Sequence, residues 1–389
     1  MSQPGIVCAN IGRSPSDPHA CVMDSLGLLR QYLVGTRRFT AGINPERQRL
    51  FPVFGLINYL AARLIGGYRA ESIRFAAVPI FERWAQGHLR EGDHLFTGFG
   101  YLNRCLEWVK ERGGLALLEA RNSHPSNFWT VVAEEYARWD CKLPPVYPIH
   151  HMRQQRSVVL ADYIFSPSTF VTESFVSCGF PKDRILPLNY PVDVSLFKPS
   201  PELRPRDKPL TIINTGQLSL RKGTPYLLEA FEMVRKEVPN ARLLLTRDVA
   251  GNFESVIRKK GWDKLPTEWA GRLPHDQLAK RLRSADVFVM PSIEEGMVRT
   301  VAEAMGCDVP VVVTRNTGIS DLVQEGVNGS VVPIRDSVSI AKAILKWWDR
   351  IQRGEFPGHD SPQHFESLSL ERFTSTLVSH LQKIGLMQK

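Results

Sequence analysis

Two glutamates flank a turn between apolar segments in PSIEEGMVRTVAEAMGCDVPVVVT, residues 291–314. Glu295 ends the loop that follows the apolar run 287–290, and Glu303 lies in the first turns of the helix predicted next. Three residues stand just before that helix: Gly296, Met297 and Val298. Unpaired N–H groups and the helix dipole attract anions at such a position. The spacing predicts a phosphate on these amides, with Glu303 bonded to ribose hydroxyls and Glu295 to those of an attached sugar.

The alternative is that both glutamates are ordinary solvated carboxylates, because Glu-Glu-Gly turns are common and a helical glutamate usually faces water. The neighbours of Glu303 argue against this alternative. Val301 and Ala304 place the carboxylate within an apolar stretch, between two predicted buried strands.

A basic pair follows another predicted strand in NTGQLSLRKGTPYLLEAF, residues 214–231. The strand ends at Gly216, and Arg221 and Lys222 precede the N-terminus of a helix. Arginine offers a bidentate fork and lysine a point charge, so the pair suits a diphosphate and the charge that develops on a leaving nucleotide. The alternative is an exposed basic loop.

These segments belong to a chain that alternates short apolar strands with amphipathic helices in both halves. Such alternation is typical of a parallel sheet covered by helices on both faces, with ligands at the carboxyl ends of the strands. We predict an α/β protein of two Rossmann-like, doubly wound domains facing a central cleft. The predicted units are residues 1–190, a proline-bearing linker at 191–209, residues 210–364 and a terminal helix at 365–389.

The composition of the 389 residues narrows the expected partners. Lys and Arg number 49 against 40 Asp and Glu, a formal charge of +9 that suits nucleic acid, an anionic membrane or a phosphorylated ligand. The chain carries no RRM, KH, zinc-finger or homeodomain pattern, so we expect no nucleic acid. Neither a membrane-spanning run nor an N-terminal signal pattern is present, which predicts a cytoplasmic protein.

A metal site is not expected. The six cysteines show no paired spacing, and no Asp-x-Asp pair stands in a loop. We therefore expect reduced thiols and no bound metal.

As an ordered set, GxxxxRKG, PSxxEGxxxxxxEAMGCDVPVV and TGISDLVQEGVNGSVV resemble the retaining glycosyltransferases of family 4. The resemblance covers about residues 158–345 and includes LADYIFSPSTF and ILPLNYPVDVSLFKP. It implies the GT-B fold, a nucleotide-diphosphate sugar as donor, and a glycan, lipid-linked or small-molecule acceptor. It also implies a retained anomeric configuration, no metal or other cofactor, and a terminal helix that packs back on the first domain.

The resemblance assigns donor contacts in the second domain residue by residue. Gly216 would allow close backbone approach, Arg221 and Lys222 would hold the diphosphate, Glu295 the sugar and Glu303 the ribose. The chain departs from the family at EGMV, where Met297 and Val298 replace the usual Phe and Gly, and this leaves the donor sugar open.

Fewer residues of the first domain match. Gly12 and Arg13 stand where such enzymes have a Gly-rich loop that contacts donor phosphate and acceptor. His124, in LLEARNSHP, stands where the family commonly has a histidine that reaches the transferred sugar; a helix-capping or loop histidine is the alternative. The adjacent His150 and His151 would point apart, so we interpret them as structural or acceptor-side.

Two rival functions stay open: a non-catalytic protein of this fold that binds a sugar nucleotide or carbohydrate, and a sugar-nucleotide epimerase or phosphorylase. One further segment is ambiguous. ERQRLFPVFGLINYLAARLIGGYR, residues 46–69, is either an element that lies on an anionic membrane face or an ordinary core helix with a solvated basic end.

Overall fold

The computed structural model describes residues 5–12, 17–36, 38–64, 67–193, 195–200, 208–246, 248–250, 253–355 and 367–388. Two parallel sheets organise these residues, one in each half of the chain. The predicted α/β class and the two doubly wound sheets are confirmed.

The first sheet has seven parallel strands in the order β3-β2-β1-β4-β5-β6-β7. Its strands are β1 Ile6–Asn10, β2 Leu29–Val34, β3 Gln48–Leu50, β4 His94–Gly98, β5 Ala116–Glu119, β6 Tyr163–Ser166 and β7 Ile185–Pro187. Every residue of β1 and β5 is buried, as continuous apolar runs covered on both faces require.

Eight helices accompany these strands in the described part of the first half. They are α1 Asp17–Ser25, α2 Pro52–Leu64, α3 Gly67–Ala76, α4 Val78–Gln86, α5 Asn103–Lys110, α6 Pro125–Arg138, α7 Val146–Leu160 and α8 Thr169–Ser177. Among the described residues, no helix is both long enough and apolar enough to cross a lipid bilayer.

The second sheet has six parallel strands in the order β10-β9-β8-β11-β12-β13. They are β8 Thr211–Asn214, β9 Arg242–Leu245, β10 Thr267–Trp269, β11 Val287–Met290, β12 Val311–Thr314 and β13 Gly329–Val332. The described helices here are α9 Thr224–Glu237, α10 Phe253–Lys260, α11 His275–Ser284, α12 Arg299–Gly306, α13 Ser337–Gln352 and α14 Leu370–Lys383. Because β8 and β11 are neighbours, the loops that leave their carboxyl ends meet.

A glycine fixes the start of α9 at this meeting point. Gly223 is the N-cap with φ of 66°, a left-handed conformation that favours glycine. A Cβ at this position would lie 1.8 Å from the carbonyl oxygen of Pro291, just beyond β11. Only glycine therefore allows the loop after β8 to approach the loop after β11.

Two helices each pack against the core of the other half of the chain. The terminal helix α14 buries Phe373 and Leu377 in the core cluster that includes Phe165 of the first sheet. Helix α6 lies in the first half, yet its Val132 and Tyr136 pack in the core of the second half. The two halves therefore share hydrophobic surface.

A histidine is buried between the first sheet and α14. His19 is 1% exposed and its ring lies 4.9 Å from those of Phe96 and Phe373, measured between centroids. Neither ring nitrogen has a hydrogen-bond partner among the described residues. Burial lowers the pKa of His19 to about 4, with Glu119 acting to raise it and Arg121 to lower it.

We predict that acid destabilises the protein through His19. Its pKa is lower in the folded chain than in the unfolded chain, so the folded state binds fewer protons between about pH 6.5 and pH 4. The free energy of unfolding should fall by about 2 kcal/mol from pH 7 to pH 5 through this group alone. His19→Leu should remove that part of the slope in urea titrations, whereas the exposed His275→Leu should not; equal slopes in both variants would contradict this account.

Candidate active site

Three predicted residues meet where the loops after β8 and β11 join. Arg221 Nη1 donates to Glu295 Oε2 at 2.9 Å, and Lys222 Nζ forms an ion pair with the same oxygen. The side chains of Lys222 and Glu295 are each 13% exposed and that of Arg221 is 23% exposed. The convergence of the basic pair with Glu295 therefore occurs in a largely desolvated place.

The backbone holds these side chains in position from three sides. The carbonyl of Arg221 accepts from the amide of Ile293 at 2.9 Å, which joins the two loops. The amide of Glu295 donates to the carbonyl of Asn316 at 3.0 Å, and its carbonyl accepts from the amide of Gly318 at 2.9 Å. Glu295 is thus fixed to the loop after β12 as well.

The charges of this group depend on one another. Burial acts to raise the pKa of Glu295, but Lys222 and Arg221 outweigh it and the pKa lies below its ordinary value. Burial lowers the pKa of Lys222, and Glu295 opposes that effect. The carboxylate is therefore the group that keeps two buried cations in place.

Glu294 was not predicted as a site residue, and it links the two halves. Its buried carboxylate accepts from the amide of Ser123 at 2.8 Å and from Nδ2 of Asn122 at 2.9 Å. Arg221 Nη1 donates to the carbonyl oxygen of Glu294 at 2.7 Å and lies 3.6 Å from its Oε2. Burial raises the pKa of Glu294, which Arg221 opposes.

Gly296 lies at the contact between the halves. A Cβ there would approach the carbonyl oxygen of Arg121 to 2.1 Å. Its own carbonyl accepts from Ser168 Oγ at 2.8 Å. The side chain of Met297 packs in the second core and accepts from the amide of Tyr190, and Val298 is the N-cap of α12.

Glu303 does not join the basic pair. It lines a pocket of about 330 Å³ with Thr215, Thr246, Arg272, Pro274 and Thr300, which we name the Glu303 pocket. The pocket lies at the carboxyl ends of β8, β9 and β10. Gly216 follows Thr215 there, and a Cβ on Gly216 would make only ordinary contacts with Met290 and Asn214.

The histidine assigned to the transferred sugar caps a helix in this structure. His124 precedes Pro125 at the start of α6, and its Nδ1 accepts from the amide of Ser126 at 3.1 Å. Its carbonyl accepts the helical bond from Phe128 at 2.9 Å. The structure thus places His124 in the capping role that was the alternative in the sequence.

The other first-domain assignments are only partly described. Gly12 lies just beyond β1, and a Cβ there would meet no atom within 4 Å. Arg13 lies outside the described residues. Near this edge Arg121 donates to Glu119 at 2.7 Å and to Asn10 Oδ1 at 3.0 Å.

A second pocket lies at the carboxyl ends of β4 and β5. It is lined by Tyr101, Glu119, Arg121, Asn122, His150 and Gln154 among others, and we name it the Arg121 pocket. Burial, Arg153 and His151 lower the pKa of His150 to about 4, so the ring is neutral at pH 7. His151 instead stacks on Trp129 at 5.2 Å between centroids.

Among the described residues, no three His, Cys, Asp or Glu side chains are grouped so that they could hold a metal ion. The cations of the site are the side chains of Arg221 and Lys222. Metal independence itself stays a prediction.

Residues 209–350 match the family described as glycosyl transferases group 1. A relative, sulfoquinovosyl transferase SQD2 of Arabidopsis thaliana, is 32% identical over 201 residues, which are 48% of this chain and 38% of that protein. The chain therefore spans well under half the length of this relative. The resemblance noted in the sequence is confirmed for the second domain, while the family number stays a prediction.

Solved structures share the complete architecture. Sucrose-phosphate synthase of Thermosynechococcus elongatus superposes with a TM-score of 0.71 at 17% identity, covering 98% of this chain and 99% of its own. Anabaena HepE in complex with UDP-glucose gives 0.67 at 14% identity, covering 98% and 100%. At these identities the likeness shows the fold, and the predicted GT-B fold is confirmed.

The ion cluster predicts a measurable exchange of anions. Glu295→Gln leaves two buried cations without their shared carboxylate, so the free energy of unfolding should fall by about 3 kcal/mol. Pyrophosphate should raise the melting temperature of this variant more than that of the original chain in a thermal-shift measurement. The exposed Glu254→Gln variant is the matched control. If pyrophosphate stabilised Glu295→Gln no more than Glu254→Gln, the proposed anion site would be wrong.

Proposed function

We propose that this chain, whose residues 209–350 belong to the glycosyl transferases group 1, is a retaining, metal-independent glycosyltransferase. It transfers a sugar from a nucleotide-diphosphate sugar to an acceptor hydroxyl. The observation that carries the proposal is the desolvated group of Arg221, Lys222 and Glu295, with the Glu303 pocket at the carboxyl edge of the same sheet.

The diphosphate would take the place that Glu295 occupies on the basic pair. A phosphate oxygen accepts the same hydrogen bonds as a carboxylate oxygen, and Arg and Lys bind both. Exchange of one anion for the other keeps the buried cations paired throughout. It also releases the carboxylate of Glu295 for the hydroxyls of the sugar, the role that the family resemblance implies for this residue.

The nucleoside would lie in the Glu303 pocket. Glu303 is 7% exposed on α12 and could accept hydrogen bonds from two adjacent ribose hydroxyls. Gly216 follows Thr215 of this pocket, and the close backbone approach that the family resemblance implies for it stays a prediction. Anabaena HepE, which has the same fold, was solved in complex with UDP-glucose, and this supports a nucleotide-sugar donor.

The chemical step breaks the bond between the sugar C1 and the diphosphate oxygen. Positive charge develops on the sugar ring while negative charge develops on the leaving diphosphate, which Arg221 and Lys222 stabilise. The acceptor oxygen then bonds to C1 from the face that the phosphate leaves. Its proton passes to the departing phosphate oxygen, so the nucleoside diphosphate leaves with the electron pair and the proton. No protein carboxylate acts as base in this scheme.

The acceptor would enter the Arg121 pocket. Asn122 and Ser123 line that pocket and also donate hydrogen bonds to Glu294, so the pocket borders the donor side directly. His124 caps α6 through Nδ1 next to this border, and its contact with the transferred sugar, which the family resemblance implies, stays a prediction. Closure of both domains around the donor would exclude water, which would otherwise hydrolyse it.

Loss of the lysine tests the function. Lys222→Met should lower the free energy of unfolding, because the buried Glu295 loses one of its two cations. At a temperature where the variant is still folded, it should reduce release of the nucleoside diphosphate from the matching UDP-, GDP- or ADP-sugar by about 100-fold or more. Lys236→Met, on the exposed side of α9, should behave like the original chain. Turnover that requires inorganic phosphate would favour the phosphorylase, an altered sugar with no transfer would favour the epimerase, and binding without turnover would favour the non-catalytic protein.

Loss of the pocket carboxylate tests the nucleoside position. Glu303→Ala should weaken nucleoside diphosphate binding by about 1–3 kcal/mol, because a charged acceptor of ribose hydroxyls is lost. Calorimetry with UDP, GDP and ADP measures the change. The exposed Glu254→Ala variant should bind the nucleotides as tightly as the original chain does. If Glu303→Ala also bound them that tightly, Glu303 would not be part of the site.

A further inference from the structure

Helix α2 is apolar on the side that faces solvent. Its inner side buries Phe54 and Ala61, which are 2% and 3% exposed. The opposite side carries an exposed row at helical spacing: Val53, Leu56, Leu60 and Leu64. A continuous apolar row on an exposed helix face ordinarily contacts another molecule or a membrane. The row therefore requires an occupant.

An apolar recess opens between α3, α4 and α7, and α3 also packs against α2. The recess has a volume of about 350 Å³ and its lining includes Phe75, Ala76, Val78, Pro79, Val146 and Ile149. Arg153 also lines it, but this guanidinium donates to the carbonyl oxygen of Gly100 and to Glu82. Ser72 is the other polar residue of the lining, and the remaining lining residues are apolar, so the recess suits a hydrocarbon.

One side-chain pair separates the recess from the Arg121 pocket. Ile149 faces the recess and its neighbour His150 faces the pocket, so a single stretch of α7 forms the wall. The ring of Phe75, from α3, lies 5.1 Å from that of His150 between centroids. A ligand with a polar head in the pocket could extend its chain into the recess across this wall.

The surface around the recess is basic as well as apolar. Among the described side chains of α2 to α4, three arginines are exposed: Arg63, Arg74 and Arg83. The carboxylate described there, Glu82, is 1% exposed and paired with Arg153. Exposed aliphatic groups next to exposed arginines complement the anionic surface of a lipid bilayer.

We propose that the acceptor is a lipid carried in an anionic membrane, with its hydrocarbon chain in the apolar recess and its hydroxyl-bearing head in the Arg121 pocket. The exposed row of α2 rests on the same bilayer. This inference rests on the proposed function, because the Arg121 pocket must border a donor site. It selects the lipid-linked acceptor among the classes that the sequence left open.

Binding of dodecyl phosphate below its micellar concentration tests the recess. Ile149→Lys places a charge at the mouth, and Ala76→Phe fills the recess with an apolar group; each should weaken calorimetric binding at least 10-fold. Val159→Lys, on the same helix and 83% exposed, is the matched control and should bind like the original chain. Inorganic phosphate should not reproduce the binding. Absent binding, or equal affinity in all variants, would overturn the recess as a chain site.

The membrane is tested with vesicles of phosphatidylcholine and phosphatidylglycerol. The original chain should co-sediment with them and less with pure phosphatidylcholine, whereas Leu56→Ser with Leu60→Ser should reduce binding at least 5-fold. Val338→Ser with Leu370→Ser, exposed elsewhere, should not reduce it. A dimer that the α2 changes dissociate, without vesicle binding, would overturn the proposal and assign the row to a second copy. Binding of UDP, GDP and ADP, measured on each variant, tests the proposed donor site independently of the lipid site.

Discussion

The arrangement of the molecule depends on two adjacent buried carboxylates with different partners. Glu295 holds Arg221 and Lys222, while Glu294 accepts hydrogen bonds from Asn122 and Ser123 of the other half. A charge buried without partners costs several kcal/mol, so each carboxylate is tolerable only when its full set of donors is present. The donors of Glu294 reach it only when the halves are together, and the site and the contact between the halves are therefore one structure.

That contact brings the loop after β11 close to the loop after β5. Gly296 approaches the carbonyl of Arg121 at a distance that no side chain would allow, and Arg335 of the second half pairs with Glu135 of α6 at 2.8 Å. Helix α6 thus belongs to the core of the second half although it follows β5 in sequence. A movement that parts the two sheets must separate Gly296 from Arg121, whereas α6, with its apolar packing and its Arg335–Glu135 ion pair, could travel with the second half as a unit.

The sequence predicts the sheets well because parallel strands buried on both faces are uniformly apolar, as in Val287–Met290. It also predicts that Arg221 and Glu295 meet, since both follow strand ends of one sheet. It could not distinguish Glu294 from Glu295, because which neighbour turns toward the other half depends on the loop backbone. The path of α6 was equally hidden, since an amphipathic helix does not specify which core it covers. The capping role of His124 had a signal in Pro125, a residue common in first turns.

The opposite pKa directions of Glu294 and Glu295 separate their functions. Burial raises the pKa of Glu294, whose nearest donors are neutral N–H groups and which Arg221 approaches to 3.6 Å, whereas Lys222 and Arg221 hold the pKa of Glu295 below its ordinary value. A group that remains ionised can leave a cation pair for an incoming anion and then accept hydroxyl protons in hydrogen bonds. A group held by backbone and amide donors gains nothing from such an exchange. Glu294 is therefore suited to fixing the halves, and Glu295 to responding to a ligand between them.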